Sequence, residues 1–214
     1  MDYKMPDNHW KNKVWYAYGT SMTSIQMGEY VPIVEKHSGL KAVNKGIPGG
    51  SLTPDGLGKG NCKAQIMTLE DGKAEADLIT VEVLPNEGAC VGSIYDTDDA
   101  SFCGCLNQCL RYLQENTNAQ IVLIIMIGTN EDPPETTTGR KITQFEFAQI
   151  IEKVAKLNSV PVINVFCESG FGYARVKKRM YQLDQIHLNK LGGLNMGNFI
   201  WSKLKDIPLW ITET

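Results

Sequence analysis

Apolar, β-branched runs recur along the chain, with room for a helix between each pair. Val14–Tyr18, Leu40–Val43, Leu78–Leu84, Gln120–Ile127 and Val160–Phe166 have the length and residue types of buried strands. Between and after them, Glu29–His37, Cys62–Ala74, Ser101–Asn116 and Lys190–Leu204 carry helical patterns, and Ile142–Leu157 reads as an amphipathic helix. A Gly/Pro-rich loop, residues 46–60, separates the second strand from the second helix. Five strands alternating with helices predict an α/β fold: a doubly wound, five-stranded parallel sheet in three layers. No repeat, low-complexity tract or dividing linker interrupts the pattern, so residues 1–214 are expected to form a single domain.

Composition narrows the partners more than the fold. The chain is 43% hydrophobic and 21% charged, the balance of a globular protein with a sizeable core. A formal net charge of −3 argues against nucleic acid or an anionic membrane as the main partner. The longest apolar run, Ile121–Ile127, has strand length and falls short of a membrane span. The first ten residues are polar and contain no secretory hydrophobic region, which leaves compartment and oligomeric state open. Cys103, Cys105 and Cys109 lack the paired spacings of a zinc site and have no histidine nearby. With Cys105 and Cys109 four apart on a predicted helix, burial as small hydrophobes is the expected reading.

Chemistry concentrates at the two ends. His187 is one of three histidines and follows Asp184 in Asp184-Gln-Ile-His187. A serine becomes a nucleophile at neutral pH when a base takes its proton, and the base works best when a third group fixes its tautomer. An Asp-x-x-His element supplies base and orienter together. Ser21 is the natural partner, because it follows the first strand and Gly19, at the end of a sheet where open α/β folds keep their sites. Donors for an oxyanion have two sources: the glycine-rich loop around Gly49 after strand two, and Asn86 after strand three.

In order, these segments resemble the SGNH (GDSL-type) hydrolase family. Its blocks correspond to Gly19-Thr20-Ser21, Gly46-Ile47-Pro48-Gly49, Leu84-Pro85-Asn86-Glu87 and Asp184-Gln185-Ile186-His187, which run across nearly the whole chain. The resemblance implies a flavodoxin-like three-layer α/β/α sandwich. It also implies Ser21 as nucleophile, His187 as base and Asp184 as its orienter, with Ser21 N–H, Gly49 N–H and the Asn86 amide as the oxyanion hole. Thr20 departs from the family's aspartate, and Leu84 and Glu87 from the glycine and aspartate that flank its asparagine. These changes are expected to alter how firmly Ser21 and Asn86 are held. Asn130, in Ile127-Gly128-Thr129-Asn130-Glu131, spells the asparagine block more closely. It follows strand four rather than strand three, so Asn86 is preferred.

The implied reaction is two-step acyl transfer to water, which needs neither metal nor organic cofactor. The expected substrate is a small-molecule or carbohydrate ester, with a short-chain, acetyl-type acyl group on a sugar first. A lysophospholipase- or thioesterase-type acyl hydrolase and a degenerate, non-catalytic glycan-binding module on the same fold stand as alternatives. Tyr95, Phe102, Phe171 and Tyr173 are candidates for stacking on sugar rings, although core or rim packing is the commoner use of such residues. The acidic stretch Tyr95–Asp99 lacks the glycine and terminal glutamate of a calcium loop and reads as a solvated loop before a helix.

Overall fold

A computed structural model describes residues 8–56, 58–72, 75–84, 90–127, 142–171 and 187–209. Five parallel strands form one sheet: β1 Val14–Gly19, β2 Lys41–Gly46, β3 Leu78–Val83, β4 Gln120–Ile125 and β5 Val162–Asn164. Their order is β2-β1-β3-β4-β5, the flavodoxin-like arrangement in which the chain leaves β1 in both directions. The crevice beyond the carboxyl ends of β1 and β3 is therefore the switch point where such sheets bind ligands. The α/β class and the five-stranded parallel sheet expected from the sequence are both present.

Every residue of β3 and β4 is buried, because helices cover both faces of a parallel sheet. The helices are α1 Val31–Ser38, α2 Asn61–Gly72, α3 Phe102–Asn116, α4 Gln144–Leu157, α5 Val165–Glu168 and α6 Lys190–Leu204. Ile66, Leu106, Leu110, Phe147 and Ile151 of α2–α4 join Ile79, Val81 and Leu123 in one core cluster. Val31, Val34, Met196, Ile200 and Leu204 of α1 and α6 meet Trp15, Leu78 and Val122 in a second cluster on the opposite face. Trp10 is fully buried and donates its indole N–H to Leu204 O, which ties the start of the described chain to the end of α6.

Local chemistry explains where the boundaries moved. α1 begins at Val31 rather than Glu29, since Pro32 in its first turn has no N–H to give a preceding helical turn. It ends at Gly39, whose φ of 71° only glycine adopts readily. α4 starts from a reciprocal cap between Thr143 and Glu146. β5 is shorter than the apolar run Val160–Phe166 suggests, because the Asn164 side chain accepts from Cys167 N–H and turns the backbone into α5. Cys103, Cys105 and Cys109 are buried in the first cluster as small hydrophobes. Phe102 is fully buried there too, edge-on to Phe147 at 4.8 Å between ring centres. It is a core residue with no exposed surface, which corrects its candidacy as a sugar platform.

Candidate active site

Ser21 lies in a tight turn directly after β1. Thr23 N–H and Ser24 N–H both donate to Thr20 O, and the Ser24 hydroxyl donates to Ser21 O. Neighbouring elements leave space for that turn. A side chain at Gly46, the last residue of β2, would strike the backbone of Thr23 and Ser24. Asn44 supports the turn from β2, donating to Thr23 O at 2.6 Å. Ser21 itself is half-buried.

His187 reaches this turn from the other end of the chain. It immediately precedes Leu188, which is buried, and half-buried Asn189, whose side chain caps α6 by accepting from Gly192 N–H. His187 Nε2 lies 2.9 Å from Ser21 Oγ, within hydrogen-bond reach. The two residues that the sequence singled out, 166 positions apart, thus meet at the carboxyl end of β1.

Gly49 sits in the turn Ile47-Pro48-Gly49-Gly50, closed by Gly50 N–H to Ile47 O. Its φ of 68° and the preceding proline match the needs of a type II turn. Ile47 N–H donates to Gly19 O, so this turn abuts the strand end that carries Ser21. The buried Cys62 thiol donates to the same carbonyl at 3.3 Å. Asp184, Asn86, the competing Asn130, Glu87 and Tyr173 lie outside the described residues. Leu84 is half-buried against the second core cluster, as is Phe171, while Tyr95 is 71% exposed. In the acidic loop, Asp96 accepts from Ser93 N–H and from the hydroxyl of Ser101, the residue that caps α3.

One residue at the site escaped the sequence reading. Glu82, near the end of β3, is buried with 2% exposure, on the strand face shared with Thr80 and Leu78. Its carboxylate accepts from Thr20 N–H at 2.7 Å, from Thr20 Oγ1 at 3.0 Å and from Thr23 Oγ1 at 3.1 Å. Burial pushes its carboxyl up to about 7, against the pull of those three donors. Thr20, the departure noted in the sequence, is thus a double donor to a carboxylate on the neighbouring strand. The signal was available: a single charge inside the otherwise uncharged strand Leu78-Ile-Thr-Val-Glu-Val.

No family model matches the chain, and no curated protein does. Its fold does match solved structures. A protein from Lactobacillus plantarum superposes with a TM-score of 0.74 at 20% identity, covering 93% of this chain and 99% of its own. A possible lipase from Chitinophaga pinensis gives 0.66 at 15% identity, covering 91% and 98%. A catalytic mutant of an acetylxylan esterase from Geobacillus stearothermophilus gives 0.58 at 14% identity, covering 95% and 98%. The chain shares one fold with these proteins over nearly its whole length, in agreement with the fold implied by the SGNH resemblance.

Proposed function

We propose that this chain is a serine ester hydrolase of the SGNH type, in a single domain, acting on short-chain and first of all acetyl esters of carbohydrate. The observation that carries the proposal is the 2.9 Å approach of His187 Nε2 to Ser21 Oγ at the sheet's switch point. Neutral His187 takes the Ser21 proton as Oγ attacks the ester carbonyl. The negative charge that develops on the carbonyl oxygen is met by Ser21 N–H, Gly49 N–H and the Asn86 amide. His187 then returns the proton to the leaving alcohol, and water enters by the reverse sequence to release the acid. Asp184 fixes the imidazole so that Nε2 faces the serine.

The fold neighbours support this assignment. Two catalytic mutants of the acetylxylan esterase change a histidine and an aspartate three positions apart, the spacing of Asp184 and His187 here. The acetylated-sugar preference rests on that same neighbour. The deciding experiment is hydrolysis of p-nitrophenyl esters of rising chain length beside acetylated oligosaccharides, with Ser21→Ala as control. Turnover that peaks at acetate and is lost in the variant supports the reading. A peak at long acyl chains redirects it to lipid or thioester substrates. Wild type that hydrolyses nothing and resists a serine-directed fluorophosphonate leaves glycan binding as the function.

A further inference from the structure

Glu82 is a buried carboxylate, and among the described residues its three hydrogen-bond donors all come from the turn that carries Ser21. Thr20 N–H and Thr20 Oγ1 precede the serine, and Thr23 Oγ1 follows it. Ser21 is therefore pinned from both sides to one group on a different strand. With Glu82 ionised, the route of the hydrogens is determined. Thr23 has one hydroxyl hydrogen, and Glu82 takes it. The 2.9 Å contact between Thr23 Oγ1 and Tyr30 is then made by the tyrosine donating to the threonine. Tyr30 O–H, Thr23 O–H and the carboxylate form a chain in which each bond polarises the next. Thr20 Oγ1 in turn accepts from Met22 N–H at 3.3 Å, which fixes the peptide on the far side of Ser21.

The surroundings are built for this carboxylate. A β-carbon at Gly19 would meet Glu82 Cβ at 2.8 Å and collide with the carboxylate and with Thr23 Oγ1, so the bare glycine makes its passage possible. Among the described residues no cation forms an ion pair with Glu82. A buried acid met by neutral donors costs more than an apolar side chain of the same size. An apolar residue at position 82 would complete the core and remove the three bonds that tie Thr20 and Thr23 to β3.

We propose that Glu82 is a positioning residue for the nucleophile, setting the place of Ser21 Oγ relative to His187 by clamping Thr20 and Thr23. The role rests on the hydrolase reading above. Its test uses the full chain with Glu82→Gln, Thr20→Val and Thr20→Ser. The readouts are kcat and KM for p-nitrophenyl acetate, the second-order rate of fluorophosphonate labelling, and the thermal midpoint. The three donors converge on Glu82 Oε2. Glutamine keeps an amide oxygen for them but removes the charge that strengthens those bonds, so kcat and the labelling rate should fall together by about 3-fold or more while KM stays within about 2-fold. Thr20→Val should lose about 3-fold in both rates, and Thr20→Ser, which keeps both donors, should restore them. A folded Glu82→Gln that labels at the wild-type rate overturns the role, as does a change confined to KM. If Glu82→Gln does not fold, the Thr20 pair decides. Loss with valine and recovery with serine supports the role, and equal rates overturn it. Wild type that neither hydrolyses nor labels overturns the hydrolase reading and this role together. A labelled wild type with unimpaired variants overturns this role alone.

Discussion

Ser21 Oγ and His187 Nε2 stand 2.9 Å apart, yet one hangs from the first strand and the other precedes the last described helix. Neither strand nor helix alone sets that distance. It follows from how β1, the turn after it and the α1–α6 layer pack against one another. Loss of either partner should therefore be nearly complete in its effect on chemistry. Ser21→Ala and His187→Ala should each lower kcat by about 10³-fold or more, and the double variant should be little worse, because the two act as one unit. Asp184→Asn should be milder than His187→Ala. Steady-state kinetics on p-nitrophenyl acetate checks all four, with circular dichroism confirming the fold.

Stability should carry the signature of Glu82. Burial first of all raises its carboxyl from the ordinary 4.5 to about 7, so the folded chain holds a proton there that the unfolded chain releases. That contribution is fully present below about pH 4.5 and is lost as pH rises through about 7. The titratable group facing it is Tyr30, whose phenol is pushed up by burial and then by Glu82 itself, and which stays protonated throughout this window. Glu82→Gln should flatten the decline of unfolding free energy between pH 4.5 and 7 by up to about 3 kcal/mol. Urea titrations of both proteins at a series of pH values measure it. An equal slope in the variant would contradict the raised carboxyl.

The α1–α6 layer should be intolerant of one methyl group. A β-carbon on Gly193 would overlap the Glu29 β-carbon and come within 3.1 Å of Glu29 backbone atoms. Alanine is intrinsically the better helix former by about 1 kcal/mol, but a backbone obstacle cannot rotate away, and overpacking costs about 1–3 kcal/mol. Gly193→Ala should therefore destabilise, by about 1–2 kcal/mol in chemical denaturation. A more stable variant would mean that the two segments can separate without cost.

Asn107 ties an irregular loop to the core. Its amide donates to Ile94 O and Asp96 O, and its oxygen accepts from Asn158 at 2.6 Å. Truncation leaves buried polar groups unpaired, at about 1–3 kcal/mol. Asn107→Ala should lower the thermal midpoint and speed hydrogen exchange across residues 93–98, with little change in exchange for β1.

Much of this was legible from residue patterns because burial is written as hydrophobicity. β3 and β4 read as strands since both faces are covered, and Asp184-Gln-Ile-His187 with Ser21 stood out because few other residues offer that chemistry. The failures have physical causes. Asn164 looked like strand interior, but its side chain competes for a backbone N–H and starts α5. Phe102 was one of four candidates for stacking on sugar, yet it takes the commoner use of such residues and packs in the core, directly after the cap at Ser101. Glu82 passed unnoticed because an isolated charge in a strand normally faces water. Only the arrangement of Thr20 and Thr23 around it gives it a partner.

The reach from β1 to α6 has a consequence for the chain as it is made. Synthesis delivers Ser21 early, on a strand whose neighbours are still missing. His187 comes only after β5, and α6 must then dock on α1 before imidazole and hydroxyl can meet. On the proposed reading, a partly synthesised or truncated chain carries its nucleophile in an inert form. Labelling of Ser21 by a fluorophosphonate would then report that α6 has docked on α1, so the active site would double as a marker of that assembly step.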